Sequence, residues 1–166
     1  MRLHRLIALL TVILFAVGID GANSEEPQPV TLGLVVCLTG PCALSGLSAL
    51  HGVELAVRDI NARGGVLGRP LRYETEDSQD AISGARAVTA YRALKAKRKI
   101  NFFIGPSWTP GLLAIAPIAS KDKEILMITY EGGVNEFHQS GENLFNIRGA
   151  DETTTRELAR IARARG

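Results

Sequence analysis

The sequence has few of the residues on which enzyme sites usually depend. It contains only three histidines and two cysteines, and His51 and His138 stand far apart with no obvious nucleophile nearby. Ser45-Gly46 lacks the glycine two residues earlier that a nucleophile elbow requires, because Ala43 stands there. We therefore expect no catalytic activity, no cofactor and no metal.

An excess of charge of one sign is also missing. Lysine and arginine number 19 against 17 aspartate and glutamate residues, which gives a formal net charge of +2. A chain this close to neutrality gives no reason to expect nucleic acid or an anionic membrane as a partner. The arginines at the end of the chain have roughly helical spacing and indicate a solvated helix face: Arg156, Arg160, Arg163 and Arg165.

One long apolar run is present, at the amino terminus. Leu6–Val17 follows the basic residues Arg2 and Arg5 and precedes small and polar residues, an order typical of a secretory signal peptide. Its helix would span about 18 Å, against a hydrocarbon core of about 30 Å. We expect cleavage after Ser24, so that residues 1–24 are the signal peptide and no stable membrane span remains. An uncleaved anchor or a buried core helix is the alternative.

Cysteine is scarce, and the two that occur are close together. Cys37 and Cys42 fall in a chain expected to be exported, where disulfides can form. They either close a small disulfide loop or remain two reduced, partly buried thiols. Two thiols without a neighbouring histidine or aspartate are an incomplete donor set for a tetrahedral metal site.

Strand-like and helix-like segments alternate along the rest of the chain. Apolar, β-branched runs predict strands, and apolar residues at helical spacing predict helices. The predicted strands are Thr31–Cys37, Pro70–Glu76, Ile100–Ile104, Ile125–Tyr130 and Leu144–Ile147. The predicted helices are Leu47–Ala62, Ile82–Lys97, Pro110–Ser120 and Asp151–Arg165. This alternation predicts an α/β fold, a parallel sheet with helices on both faces.

Glycine-rich connections mark the candidate binding site. In open parallel sheets, ligands bind beyond the carboxyl ends of the strands. Three predicted connections leave strands at that edge and contain glycine, which lets backbone N–H groups approach a ligand closely. They are Leu38–Gly46, Gly105–Thr109 and Glu131–Gly133. Gly64–Gly68 instead runs from helix to strand, so it predicts a tight turn rather than a dinucleotide loop.

The middle connection is the most informative of the three. Thr109 followed by Pro110 predicts an N-cap and a proline at the first helical position. N–H groups at such a helix start suit a carboxylate or a similar anionic group. Thr109 either contacts a ligand there or only caps its own helix. Trp108, the one tryptophan of the sequence, either forms a wall of the site or packs against the next helix.

Several short motifs occur in an order that resembles the branched-chain-amino-acid-type periplasmic binding proteins. They are Thr39–Pro41, Gly52–Val57, Asp59–Gly68, Ile104–Pro106, Ala116–Ala119 and Phe145–Arg148 followed by Asp151. The resemblance covers essentially the whole chain after the signal peptide, and the stretch from Ile60 to Leu71 is its most specific part.

The resemblance implies a two-lobed, hinged receptor in the periplasm. Such receptors close on a small solute, such as an amino acid, an amide or a small organic acid, and deliver it to an ABC permease in the inner membrane. Residues 25–150 would be the N-terminal ligand-binding lobe of the type I fold, and residues 151–166 the first helix of a second lobe that this chain lacks. A ligand-sensing domain for a signalling partner and a gene fragment without independent activity are the alternatives.

The resemblance also implies roles for individual residues. Thr109 matches the hydroxyl residue that holds the ligand carboxylate, and Ser45 matches a position where amino-acid binders often place a tyrosine. Glu131 and Gly133 match a loop that normally contributes small residues and a threonine, but here the threonine is missing and a carboxylate is present. With Trp108, these residues form the candidate ligand-binding set, for a ligand other than a plain leucine-type solute.

Overall fold

Strands and helices alternate along the chain, as the sequence predicts. The computed structural model describes residues 27–81, 83–97, 100–130, 132, 137, 139–149 and 151–166, so the predicted signal peptide lies outside the described residues. Within them the strands are β1 Val30–Val36, β2 Leu71–Asp77, β3 Phe102–Ile104, β4 Leu126–Thr129 and β5 Leu144–Asn146. The helices are α1 Ala43–Ala62, α2 Gly84–Lys97, α3 Thr109–Ala119 and α4 Asp151–Arg165.

The five strands form one parallel sheet in the order β2-β1-β3-β4-β5. The prediction of a parallel α/β sheet is confirmed. From β1 the chain moves outward to β2, and it then crosses back over β1 to β3. The direction of the winding therefore reverses between β1 and β3, which makes the ends of these two strands a topological switch point.

The core lies between the sheet and the pair α2 and α3. Leu94 of α2 and Ile115 of α3 are fully buried together with Met127 of β4. Tyr91 packs on Phe103 with ring centroids 5.0 Å apart. Burying such side chains supplies most of the free energy that opposes the loss of chain entropy, so this layer is the rigid support of the sheet edge.

Helix α1 begins earlier than predicted. Its first residue is Ala43 rather than Leu47, and Cys42 is its N-cap residue. The early turn is held by a close backbone approach, because a side chain on Gly46 would place its Cβ 1.7 Å from the carbonyl oxygen of Cys37. Apolar periodicity could not predict this turn, since Gly46 is the buried residue of α1 and carries no side chain.

The segment Gly64–Gly68 is the tight turn that its helix-to-strand context predicts. Gly65 adopts a φ of 77°, and an added Cβ would lie 2.1 Å from the carbonyl oxygen of Arg69. The side chain of Asn61 closes the turn by accepting a hydrogen bond from the Leu71 N–H at 2.7 Å and donating to the Leu71 carbonyl at 2.8 Å. The geometry of a tight turn explains the glycines of this connection without a role in ligand binding.

Helix α4 stands apart from the core. All fifteen of its residues are exposed, including Leu158 and Ile161. Arg156 pairs with Glu152 at 2.5 Å on its surface. Within the described part of the chain, no helix combines the length and the apolar character needed to cross a bilayer.

Candidate functional site

The carboxyl ends of the five parallel strands meet at one edge of the sheet. At the switch point between β1 and β3, this edge is built from residues 37–42, which join β1 to α1, and residues 105–108, which join β3 to α3. The connection after β2 flanks them on one side, and the end of β4 flanks them on the other. We call this region the switch-point edge.

A disulfide links the two ends of the first connection. The Sγ atoms of Cys37, at the end of β1, and Cys42, at the start of α1, are bonded to each other, and both residues are buried. The bond closes a loop of Leu38, Thr39, Gly40 and Pro41 at the rim of the switch-point edge. Of the two alternatives for these cysteines, the structure contains the bridged one.

Asp77 joins this loop to the next connection. Its carboxylate accepts hydrogen bonds from the Leu38 N–H at 2.8 Å and from the Thr39 hydroxyl at 2.5 Å. The Gln79 N–H donates to it at 3.3 Å, and the Gln79 side-chain amide also donates to the Thr39 hydroxyl. Partial burial raises the pKa of Asp77, but the hydrogen bonds from Thr39, Leu38 and Gln79 outweigh burial and hold the pKa below its ordinary value. The charged form of Asp77 therefore orders the loop.

Asp80 lies deeper, and its side chain reaches the start of α3. One carboxylate oxygen accepts a hydrogen bond from the Ser78 hydroxyl at 2.6 Å. The other accepts from the N–H groups of Ser107 at 2.9 Å and Trp108 at 2.6 Å. Asp80, Ser78 and Ser107 have no solvent-exposed surface. Two N–H groups at the start of α3 are thus satisfied by a side chain from a distant part of the chain.

The start of α3 differs in detail from the prediction. Thr109 is the first residue of the helix rather than its N-cap, Pro110 is the second, and the N-cap is Trp108, whose side chain makes no capping hydrogen bond. The prediction that Thr109 is the N-cap is wrong, because the Leu112 N–H donates to the Trp108 carbonyl at 3.0 Å, and this first helical hydrogen bond makes Trp108 the N-cap residue. Thr109 is half-buried, and Trp108 is 41% exposed.

The residues between β3 and α3 pass very close to β1. Gly105 has a φ of 93°, and an added Cβ would lie 1.9 Å from the carbonyl oxygen of Val35. The next peptide bond, Gly105–Pro106, is cis. The buried hydroxyl of Thr129, at the end of β4, donates to the Pro106 carbonyl at 2.6 Å. This connection is therefore held from β1 and β4 as well as from Asp80.

The structure places three of the five candidate ligand-binding residues on the switch-point edge. Ser45 lies in the first turn of α1, and Trp108 and Thr109 open α3. Glu131 and Gly133 lie outside the described residues. Between them, Gly132 is described and buried, and its carbonyl accepts a hydrogen bond from the Asn146 side chain at the end of β5.

Three potential metal donors lie together, but their chemistry is already satisfied. The Sγ atoms of Cys37 and Cys42 and a carboxylate oxygen of Asp80 all lie within 4.8 Å of one another. Sulfur atoms joined in a disulfide are not thiolate ligands, and the carboxylate of Asp80 accepts hydrogen bonds from its neighbours. This cluster in the oxidised protein is a packing contact between the disulfide and Asp80.

Two cavities lie at the opposite edge of the sheet. The one with a volume of about 520 Å³ is lined by Arg69, Asn101, Phe102 and residues 28–31, which include the start of β1. The guanidinium of Arg69 donates at 2.6 Å to the carbonyl of Gln28, so its polar capacity is partly used within the chain. The amino ends of parallel strands are not where ligands bind in such sheets, and we place the candidate site at the switch-point edge.

Curated relatives of this chain are binding proteins. The Leu/Ile/Val-binding protein BraC3 of Rhizobium johnstonii is 28% identical over 124 residues, which cover 74% of this chain and 33% of the relative. The chemotactic signal transduction system substrate-binding protein BasB of Halobacterium salinarum is 30% identical over 102 residues, which cover 60% of this chain and 24% of the relative. This chain thus spans about a third or less of the length of these relatives. Their names describe binding proteins and not enzymes, in agreement with the scarcity of catalytic groups in the sequence.

Solved structures share the fold at low sequence identity. One is a solute-binding protein of an ABC transporter from Rhodopseudomonas palustris HaA2, solved in complex with p-hydroxybenzoic acid. It superposes with a TM-score of 0.74 and 19% sequence identity, and the match covers 84% of this chain and 37% of the solved chain. Another is LivJ of Streptococcus pneumoniae, solved in complex with isoleucine. It superposes with a TM-score of 0.68 and 21% sequence identity, and the match covers 75% of this chain and 35% of the solved chain.

The family model described as "Periplasmic binding protein" matches residues 29–166, which include every strand and helix of the structure. Because the match covers most of the sequence, the chain belongs to the periplasmic binding protein family.

Proposed function

We propose that this chain carries the N-terminal ligand-binding part of the solute-binding component of an ABC importer. It captures a small solute, an amino acid, an amide or a small organic acid, in the periplasm and presents it to a permease in the inner membrane. Residues 1–24 direct export, residues 25–150 form the binding lobe, and residues 151–166 begin a second lobe. The observation that supports this function best is the switch-point edge, where Thr109 opens α3 after β3 and the disulfide loop follows the neighbouring strand β1.

The ligands of the two structural relatives suggest the chemistry of the recognised group. Isoleucine and p-hydroxybenzoic acid share a carboxylate and differ elsewhere. A hydroxyl at the positive end of a helix suits such a group, so Thr109 is proposed to donate a hydrogen bond to the solute carboxylate. Trp108 and Ser45 are proposed to line the same site, and Glu131 and Gly133 to complete it from the β4 side.

The test of this function is a binding measurement on the complete gene product. Isothermal titration calorimetry with isoleucine, p-hydroxybenzoate, small amides and short carboxylic acids is expected to give saturable binding for one class. Losing a hydrogen bond to a charged group costs about 1.5–3 kcal/mol, so Thr109→Ala should weaken that binding by about tenfold or more. Thr109→Ser, which keeps the hydroxyl, should bind nearly as well as the wild type.

The chain offers a matched control for this substitution. Thr89 is exposed on α2, and its hydroxyl donates to the carbonyl of Ala85 within the same helix. Thr89→Ala should leave the affinity unchanged. Equal affinities for Thr109→Ala and the wild type would remove Thr109 from the site, and no binding by any solute would contradict the function itself.

A sensory role is the second candidate, and one relative favours it. BasB carries the name of a chemotactic signal transduction component, so the same fold can serve a signalling partner. Uptake of the radiolabelled solute and movement towards it would be measured in a strain that lacks the gene. Lost uptake supports the importer, whereas lost taxis with normal uptake supports the sensor.

A further inference from the structure

We infer that Asp80 is a positioning residue of this site, which fixes the start of α3 and thereby the places of Trp108 and Thr109. The inference rests on the proposed function, because it assigns to Asp80 an effect on the ligand affinity of that site. Asp80 itself has no exposed surface, so we assign it no direct contact with the solute.

The hydrogen bonds of Asp80 connect two segments that are far apart in the sequence. Its carboxylate accepts from the N–H groups of Ser107 and Trp108, which lie 27 and 28 positions later in the chain. These are the last two residues before α3, and Thr109 follows them directly. Because both bonds are made by the backbone, they fix the path of the chain into the helix rather than one side chain.

The surrounding contacts fix the position of the Asp80 carboxylate, so that it can in turn fix the start of α3. The hydroxyl of Ser78 donates to the oxygen that does not face α3, at 2.6 Å. On one side the disulfide sulfur atoms lie within 4.8 Å of the carboxylate. On the other side α3 approaches so closely that a Cβ on Gly111 would lie 2.6 Å from the Cβ of Asp80. The carboxylate therefore has little room to move, and the start of α3 cannot shift without breaking its contacts.

The hydrogen bonds of Asp80 also determine which groups near the start of α3 are available to a solute. The amides of Ser107 and Trp108 are committed to Asp80, so they are not the groups that recognise a solute anion. The groups assigned to solute recognition here, the hydroxyl of Thr109 and the indole of Trp108, belong to residues whose backbone these bonds hold in place.

The test compares Asp80→Ala with Asp80→Asn in the complete gene product. The alanine variant removes both acceptor oxygens, so we expect the affinity to fall at least tenfold. The asparagine variant keeps an oxygen that can face Ser107 and Trp108 and an amide that can donate to Ser78, so its affinity should be no weaker than that of the wild type. Wild-type affinity in Asp80→Ala would overturn the inference, and so would an asparagine variant as weak as the alanine variant.

Loss of stability is separated from loss of position by a control in the core. Leu94 is fully buried in α2, towards the end of the helix away from the switch-point edge. Leu94→Ala should lower the melting temperature without changing the affinity. Should Asp80→Ala fail to fold, Gly111→Ala keeps every polar group but places a Cβ 2.6 Å from Asp80, 3.0 Å from Pro106 and 3.2 Å from Ala87. The start of α3 must then move away from Asp80 and these neighbours, so this variant should also weaken binding. Wild-type affinity in Gly111→Ala would then overturn the inference.

A ligand-free measurement distinguishes a failure of this inference from a failure of the proposed function. Hydrogen exchange measured by NMR should show slow exchange of the Ser107 and Trp108 amides in the wild type and fast exchange in Asp80→Ala, while the core amides of α2 stay slow. Equal exchange at these two amides in both proteins overturns the role of Asp80 even where a solute binds. If the two amides exchange as expected but the wild-type protein binds no solute, only the proposed function is contradicted.

Discussion

Two glycines of α1 show how single residues shape the rim of the site. Gly46 is buried, and an added Cβ would lie 1.7 Å from the carbonyl oxygen of Cys37, whereas an added Cβ on Gly52 would meet no atom within 4 Å. Both belong to the same helix, so they differ in surroundings and not in secondary structure. Backbone contact with Cys37, the residue after β1, rather than a side-chain interaction, therefore sets where α1 begins.

These glycines make a matched pair of substitutions. Gly46→Ala should destabilise the protein by about 2–3 kcal/mol, because the backbone must move to admit the methyl group. Gly52→Ala should stabilise it by about 0.5–1 kcal/mol, because alanine loses less chain entropy in a helix. Denaturant unfolding of both variants measures the two effects. A Gly46→Ala protein as stable as the wild type would show that α1 does not pack tightly against the backbone of Cys37.

Through its hydrogen bonds to the disulfide loop, Asp77 makes the stability of the folded state depend on pH. Its folded pKa lies below its ordinary value because hydrogen bonds outweigh burial, so its charged form stabilises the folded state. For a depressed carboxyl pKa, this stabilisation is present at neutral pH and is lost as the pH falls through the ordinary and then the folded pKa. Asp77→Asn should therefore melt below the wild type at pH 7, and the difference should shrink towards pH 3. A difference in melting temperature that stays constant from pH 7 to pH 3 would contradict this role.

At the scale of the elements, the disulfide ties the end of β1 to the start of α1. Closing a loop with a sequence separation of 5 residues reduces the entropy of the unfolded chain and stabilises the fold by roughly 2 kcal/mol. The variant with both Cys37→Ser and Cys42→Ser should lose about this amount in denaturant unfolding. Wild-type protein under a reductant strong enough to open the bond should unfold in the same way, and no change in either case would argue that the bond does not form.

Much of the fold follows from local sequence pattern, and the candidate site follows only in part. β1 is a continuous apolar, β-branched run, and α2 has clear helical periodicity, so both were predictable from a few neighbouring residues. Asp80 was missed, although it follows a predicted strand at the same edge as the other candidates. Its partners Ser107 and Trp108 are 27 and 28 positions away, and no local pattern shows that β2 and β3 end on either side of β1.

At the scale of the whole molecule, α4 is the element that the described core does not hold. Every residue of α4 is exposed, and an isolated helix of this length is only marginally stable in water. In the 166-residue chain its amides should exchange within seconds to minutes, far faster than those of α2, as measured by hydrogen–deuterium exchange. Protection of α4 equal to that of α2 would show that Leu158 and Ile161 are covered in solution.

The switch-point edge between β1 and β3 is the proposed binding site of the solute. The most direct measurement is a crystal structure of the complete gene product with the solute that binds tightest in calorimetry. We expect the solute against Thr109, at the start of α3, with the indole of Trp108 and the disulfide loop beside it. A solute found instead in the cavity at the opposite edge, between Arg69 and Phe102, would contradict the claim.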